Sequence, residues 1–125
     1  MKRLLLVDDN PDMTGFIQQI AQEEAFDVRT LNRPADFMES FRKYPPDALI
    51  LDLAMPGIDG VELLRWLAGE ECKAAIVIIS GFDQRVLDAA GRMGKASGLR
   101  IVYMLSKPIR LAAMREALKC LLQDP

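Results

Sequence analysis

Residues 48–60 read ALILDLAMPGIDG, and the fold is read outward from this stretch. Four consecutive apolar residues, Ala48 to Leu51, stop at Asp52. Continuous apolarity suits a strand covered on both faces, as the strands of a parallel sheet are. Beyond it, Asp59 and Glu62 make a capping-box-like helix start ahead of Leu63, Leu64 and Leu67.

The same alternation extends in both directions. Leu4 to Val7, Ala75 to Ile79 and Ile101 to Leu105 are further apolar runs, while Asp27 to Leu31 alternates polar and apolar residues and reads as an edge strand. Between the runs lie helical patterns. Asn10 can cap a helix that begins at Pro11, with Phe16, Ile17, Ile20 and Ala21 as its apolar face. Leu111, Met114, Leu118 and Leu121 trace the stripe of a last helix. Repeated strand–helix units predict right-handed crossovers and helices on both faces of the sheet. The expected architecture is a doubly wound five-stranded α/β fold, and the 125 residues are expected to form one domain, 1–125.

Composition narrows the function classes. Half the residues (50%) are hydrophobic, 27% are charged and the net charge is −2, with no basic tail. Neither nucleic acid nor a membrane is expected as a direct partner. No apolar stretch approaches the roughly 20 residues that span a bilayer. The opening MKRLLLV is cut short by Asp8 and Asp9, which argues against a signal peptide. Cys72 and Cys120, far apart and among helix-like residues, read as reduced thiols of a cytoplasmic protein. The absence of histidine removes histidine-dependent triads, most zinc sites and an internal phosphohistidine relay.

The informative residues stand where the apolar runs end. They are Asp8 and Asp9, then Asp52, then Ser80, then Ser106-Lys107-Pro108. Taken singly, each has an ordinary reading: aspartate and serine after a strand commonly form turns, and a lysine before proline is commonly solvated. In a parallel sheet, however, all carboxyl ends lie along one edge, where ligands bind. Three carboxylates, a hydroxyl and an ammonium therefore converge. Clustered carboxylates need a cation among them, and an all-oxygen set suits magnesium. A metal-bound carboxylate beside a lysine and a hydroxyl is a phosphoryl site, where positioning and charge stabilisation do most of the work.

The segments VDDN (7–10), ALILDLAMPGIDG (48–60) and LSKPI (105–109) resemble those of two-component receiver domains along the whole chain. The resemblance implies the flavodoxin-like strand order 2-1-3-4-5 of the chemotaxis member. It implies Asp52 as phosphoacceptor, with Asp9 and Asp52 as direct Mg2+ ligands. Asp8 would act largely through coordinated water, and the backbone carbonyl of Ala54 would complete the protein ligands. Ser80 would hydrogen-bond the phosphoryl group, Lys107 would pair with it, and the Lys107–Pro108 peptide would be cis. Pro56 and Gly57 fit the loop that passes close to the metal. A cytoplasmic signalling switch follows, served by a sensor histidine kinase, with a C-terminal output domain and a homodimer as further partners. Such a switch is a phosphoacceptor assisting its own phosphorylation and dephosphorylation rather than an enzyme on a separate substrate.

Some residues depart from the family's habit. Where most receivers carry an aromatic switch residue on the fifth strand, this chain has Met104, with Tyr103 beside it. Ala54 and Phe82 occupy positions at which the family tunes phosphoryl lifetime. The stretch from Ser80 to Lys107 is longer than usual and contains AAGRMGKASGLR (89–100), whose three glycines weaken helix propensity. It resembles receivers joined to cyclic-di-GMP phosphodiesterase output domains. Two other readings fail on particular residues. A haloacid-dehalogenase-type phosphatase needs a second acid where Ala54 stands, and a flavodoxin needs a phosphate-cradling loop where DDNPD stands. The alternative that keeps every residue is a pseudo-receiver, an interaction module that needs no phosphate.

Overall fold

The computed structural model describes residues 1–55, 59–81 and 83–123, with Pro34 described by its backbone alone. Pro56, Gly57 and Phe82, singled out above, lie outside the described residues. Strands and helices alternate: β1 (Arg3–Val7), α1 (Pro11–Glu23), β2 (Asp27–Leu31), α2 (Phe37–Lys43), β3 (Ala48–Asp52), α3 (Gly60–Gly69), β4 (Ala75–Ser80), α4 (Gln84–Ala96), β5 (Arg100–Ser106) and α5 (Leu111–Gln123). The strands form one parallel sheet in the order β2-β1-β3-β4-β5. Every residue of β3 and β4 is buried, while the alternating β2 sits at the edge.

Successive side chains of a strand point to opposite faces, so one apolar run feeds two cores. Leu49, Leu51, Ile76 and Ile78 join Phe37, Leu63, Leu64, Leu67 and Leu87 beneath α2, α3 and α4. Leu4, Leu6, Ile50, Val77 and Ile79 join Ile17, Ile20, Met114, Leu118 and Leu121 beneath α1 and α5.

Helix starts follow the expected chemistry. Asn10 caps α1, its Oδ1 accepting from the Asp12 N–H at 3.0 Å. Asp59 caps α3 through the Val61 N–H at 2.9 Å, and Asp83 caps α4 through the Arg85 N–H at 2.8 Å. Three expectations shift. Phe16 of α1 and Leu111 of α5 are exposed, and Thr14 and Ala117 complete the buried stripes instead. Cys72 lies in the connection after α3 rather than in a helix, and is buried.

Alternation breaks once in β5. Ile76 pairs with Ile101 but Val77 pairs with Tyr103, which leaves Val102 as the extra residue of a bulge. Val102 and Tyr103 therefore both serve the α1/α5 core, and Met104 returns to the α4 face with Ile101. There the glycines of α4 do more than weaken the helix. A Cβ on Gly91 would overlap the Met104 sulfur, and one on Gly94 would lie 3.1 Å from Ile101 Cγ1. These two glycines let α4 sit close upon β5, while Gly98 (φ +91°) turns the chain out of the helix.

Candidate functional site

Because all strands are parallel, β1, β3, β4 and β5 deliver Asp8, Asp52, Ser80 and Lys107 to one edge. Asp8, Asp52 and Ser80 are almost fully buried, and Asp9 stands nearer the solvent. Carboxylate oxygens of Asp8, Asp9 and Asp52 all lie within 4.8 Å of one another.

Backbone donors orient two of these groups. The Asn10 N–H donates to Asp8 Oδ1 at 2.9 Å, and the Ala54 N–H donates to Asp52 Oδ1 at 2.8 Å. Lys107 reaches in from the end of β5, its Nζ donating to Asp52 Oδ2 at 3.0 Å and lying 3.5 Å from Asp8 Oδ2. The Lys107 N–H donates to the Ser80 carbonyl at 2.9 Å, so the β4 and β5 ends are tied together, and the Lys107–Pro108 peptide is cis.

Electrostatics show what the cluster lacks. Burial, with the Asp52 charge adding to it, pushes the Asp8 carboxyl up to about 6, against the pull of the Asn10 N–H and Lys107. Burial also works against the charge on Lys107, but its hydrogen bond to Asp52, the Asp52 charge and Asp8 hold the ammonium above its ordinary value. Among the described residues, Asp8 Oδ2 is buried with no hydrogen-bond donor, the Lys107 ammonium standing off at 3.5 Å. Among the described residues, one ammonium faces three carboxylates and leaves negative charge uncompensated. The orphaned oxygen and the all-oxygen donor set fit a hard divalent cation such as magnesium.

Met104, two residues short of Ser106, packs under α4 and pairs in register with Ile78, whereas Tyr103 faces the α1/α5 core. Sequence reasoning passed over Asn32. Its Nδ2 donates to the Asp8 carbonyl at 2.9 Å and to Thr14 Oγ1 at 3.0 Å. The available signal was its place directly after β2, at the same edge as the other strand-end polar residues.

The sequence profile of the response regulator receiver domain matches residues 4–119. The chain is 31% identical over 121 residues to the transcriptional regulatory protein TrcR of Mycobacterium tuberculosis, covering 97% of this chain and 45% of TrcR. It is 30% identical over 111 residues to the response regulator receiver protein CpdR of Brucella abortus, covering 89% of this chain and 88% of CpdR. A response regulator from Colwellia psychrerythraea has a similar crystal structure, with a TM-score of 0.81 at 31% identity over 96% of this chain and 95% of that one. The chain thus spans under half the length of TrcR and most of the length of CpdR. Among the described residues, no helix is long and apolar enough to cross a membrane. With this profile, these relatives and the strand order 2-1-3-4-5, the chain belongs to the response regulator receiver domains, the signalling switches of two-component systems.

Proposed function

We propose that Asp52 accepts a phosphoryl group from the phosphohistidine of a sensor kinase. The P–N bond to the imidazole breaks as a P–O bond to the Asp52 carboxylate forms. The observation that carries this reading is the placement of Asp52: it is buried at the end of β3, with Lys107 Nζ at 3.0 Å and the carboxylates of Asp8 and Asp9 within 4.8 Å. Asp9 and Asp52, the Ala54 carbonyl, and Asp8 largely through water would hold Mg2+, which offsets charge on the phosphoryl oxygens. Lys107 neutralises a further oxygen, and the Ser80 hydroxyl hydrogen-bonds the transferred group. Residues 1–125 act as one unit whose altered surface is read by a partner. That partner is an output domain in the same natural chain, as the partial coverage of TrcR suggests, or a second receiver.

Intact-mass measurement after incubation with acetyl phosphate and Mg2+ tests the reading. One added phosphoryl group is expected on the parent and none on Asp52→Ala. An equal yield on Asp52→Ala would remove Asp52 from the role, and a parent that takes up no phosphoryl group would favour the pseudo-receiver.

A further inference from the structure

We propose that Asn32 is a positioning residue for the acidic turn Asp8–Asn10, holding it in the shape that admits a divalent cation; the inference rests on the metal reading above. β1 and β2 pair in parallel as far as Val7 opposite Leu31. One rung continues past the end, because the Asp8 N–H donates to the Leu31 carbonyl at 3.1 Å. At the next step the ladder would leave the Asp8 carbonyl without a strand donor. The Asn32 side chain takes over there, with Nδ2 at 2.9 Å from that carbonyl.

The same nitrogen has a second hydrogen, and it goes to Thr14 Oγ1 at 3.0 Å. Thr14 is buried in the first turn of α1, and its own hydroxyl donates to the Pro11 carbonyl at 3.0 Å. The peptide leading from Asp8 into Asp9 is therefore fastened to β2 on one side and to α1 on the other, through a single amide. An aspartate here could not donate and would add another negative charge beside the cluster.

The reason for such a fastening lies in the charges. Carboxylates held within 4.8 Å repel one another, and Asp8 and Asp9 are adjacent in a turn with no regular structure of its own. An unrestrained turn would relax outward before the cation arrives, and binding would then have to draw it back. Restraint in the metal-free state removes that ordering cost from the binding step. Asn32 is itself exposed and contributes nothing to either core, so its removal should act on the turn rather than on the fold.

The test titrates Mg2+ alone into the full chain by calorimetry, comparing the parent with Asn32→Ala and Thr14→Val, alongside thermal unfolding in EDTA. Loss of one such hydrogen-bonding group should weaken Mg2+ binding by about three- to tenfold in Asn32→Ala. Thr14→Val should weaken it less. Metal-free unfolding midpoints should stay near the parent's, while the Asp9 and Asn10 amide resonances shift in the metal-free NMR spectrum. A parent that binds Mg2+ and an Asn32→Ala variant that binds it as tightly would overturn the role of Asn32 alone. If Asn32→Ala does not fold, unchanged affinity in Thr14→Val would overturn it. An affinity loss that merely tracks loss of folded protein in EDTA would overturn it in favour of a structural part. A parent that binds no Mg2+ would overturn the metal reading and this inference together.

Discussion

Helix α5 lies against β5 through Met114, Ala117, Leu118 and Leu121, all buried; α4 lies against the other face of the same strand through Leu87, Ala90, Gly91 and Gly94. Both helices are 13 residues long. Burying a large aliphatic side chain contributes about 1.5–3 kcal/mol. α5 buries three of them and α4 one, so α5 is anchored by area. α4 is seated by shape: its glycines bring backbone close to Met104 and Ile101, where dispersion falls off within a fraction of an ångström. Less apolar area thus holds α4, the helix that follows Ser80, than holds α5, and α4 is expected to shift the more readily of the two. If Asp52 is phosphorylated as proposed, α4 is the neighbouring element whose balance between two arrangements the phosphoryl group would bias.

The largest expected effect comes from the anchored side. Leu118→Ala should lower unfolding stability by about 2–5 kcal/mol, as deletions in well-packed cores do. Leu87→Ala should cost less, because the neighbouring small residues let the site collapse. Denaturant unfolding of the pair checks this, and equal losses would break the contrast between the two helices.

Next in size is the glycine seat. Gly91→Ala places a methyl onto the Met104 sulfur, and overpacking of this kind typically costs about 1–3 kcal/mol. Met104→Ala in the same chain should restore part of that loss, since it removes the atoms in the way. A double variant no more stable than Gly91→Ala would show that the helix is displaced for another reason.

The glycines also show where sequence stops being informative. Four strands were legible because a run apolar at every position has no other home than a doubly covered sheet, and β2 was legible because its alternation matches one exposed face. The strand-end residues were legible by type and place, because parallel topology alone makes their ends converge. Distances were not legible. The bulge at Val102 moves Tyr103 to the α5 side and Met104 to the α4 side, yet VYML is equally apolar in either phase. Gly91 and Gly94 read as helix weakness because their partners, Met104 and Ile101, come from a different element. Asn32 could be placed at the strand-end edge by its position after β2, but nothing local to it signals a bond to a carbonyl 24 residues earlier.

A pH experiment sharpens the comparison from the site. Asp8 holds its proton to about pH 6 in the folded chain, above its ordinary 3.8. The folded state therefore binds the proton more tightly than the unfolded one, and this contribution to stability is fully present below about pH 4 and lost as pH rises through about 6. In EDTA the parent should lose stability between about pH 4 and 7 relative to Asp8→Asn, which lacks the group, by roughly the cost of a pKa displacement of this kind. Saturating Mg2+ should flatten the difference. Parallel curves for parent and variant in EDTA would mean that Asp8 feels no such tension. If the tension reaches Lys107 and so the end of β5, amide exchange in α4 should respond across this range more than exchange in α5.

The smallest effect on stability should come from the polar tie between β5 and α4. Ser106, next to Lys107, donates its hydroxyl to Gln84 Oε1 at 2.7 Å, and Gln84 Nε2 donates to Asp88 Oδ1 at 2.9 Å. Gln84 is the first residue of α4, so the segment carrying Lys107 holds the helix by its N-terminus. The bond is exposed, and its loss in Ser106→Ala should cost about 0.5 kcal/mol or less. Its dynamic effect should be larger than its energy. With the tie gone, α4 keeps its Asp83 cap and glycine seat but loses its link to the lysine arm. Hydrogen exchange of the Val86 and Leu87 amides, which donate to the Asp83 carbonyl, should quicken. Exchange of the Met114 amide, which donates to the Arg110 carbonyl at the corresponding turn of α5, should not. Adding beryllofluoride and Mg2+ to occupy Asp52 should move the amides of residues 84–96 more than those of α5 in the parent, and this difference should shrink in Ser106→Ala. Equal responses in the two helices, or a response in the variant as large as in the parent, would show that the site does not reach α4 through Ser106 and Gln84.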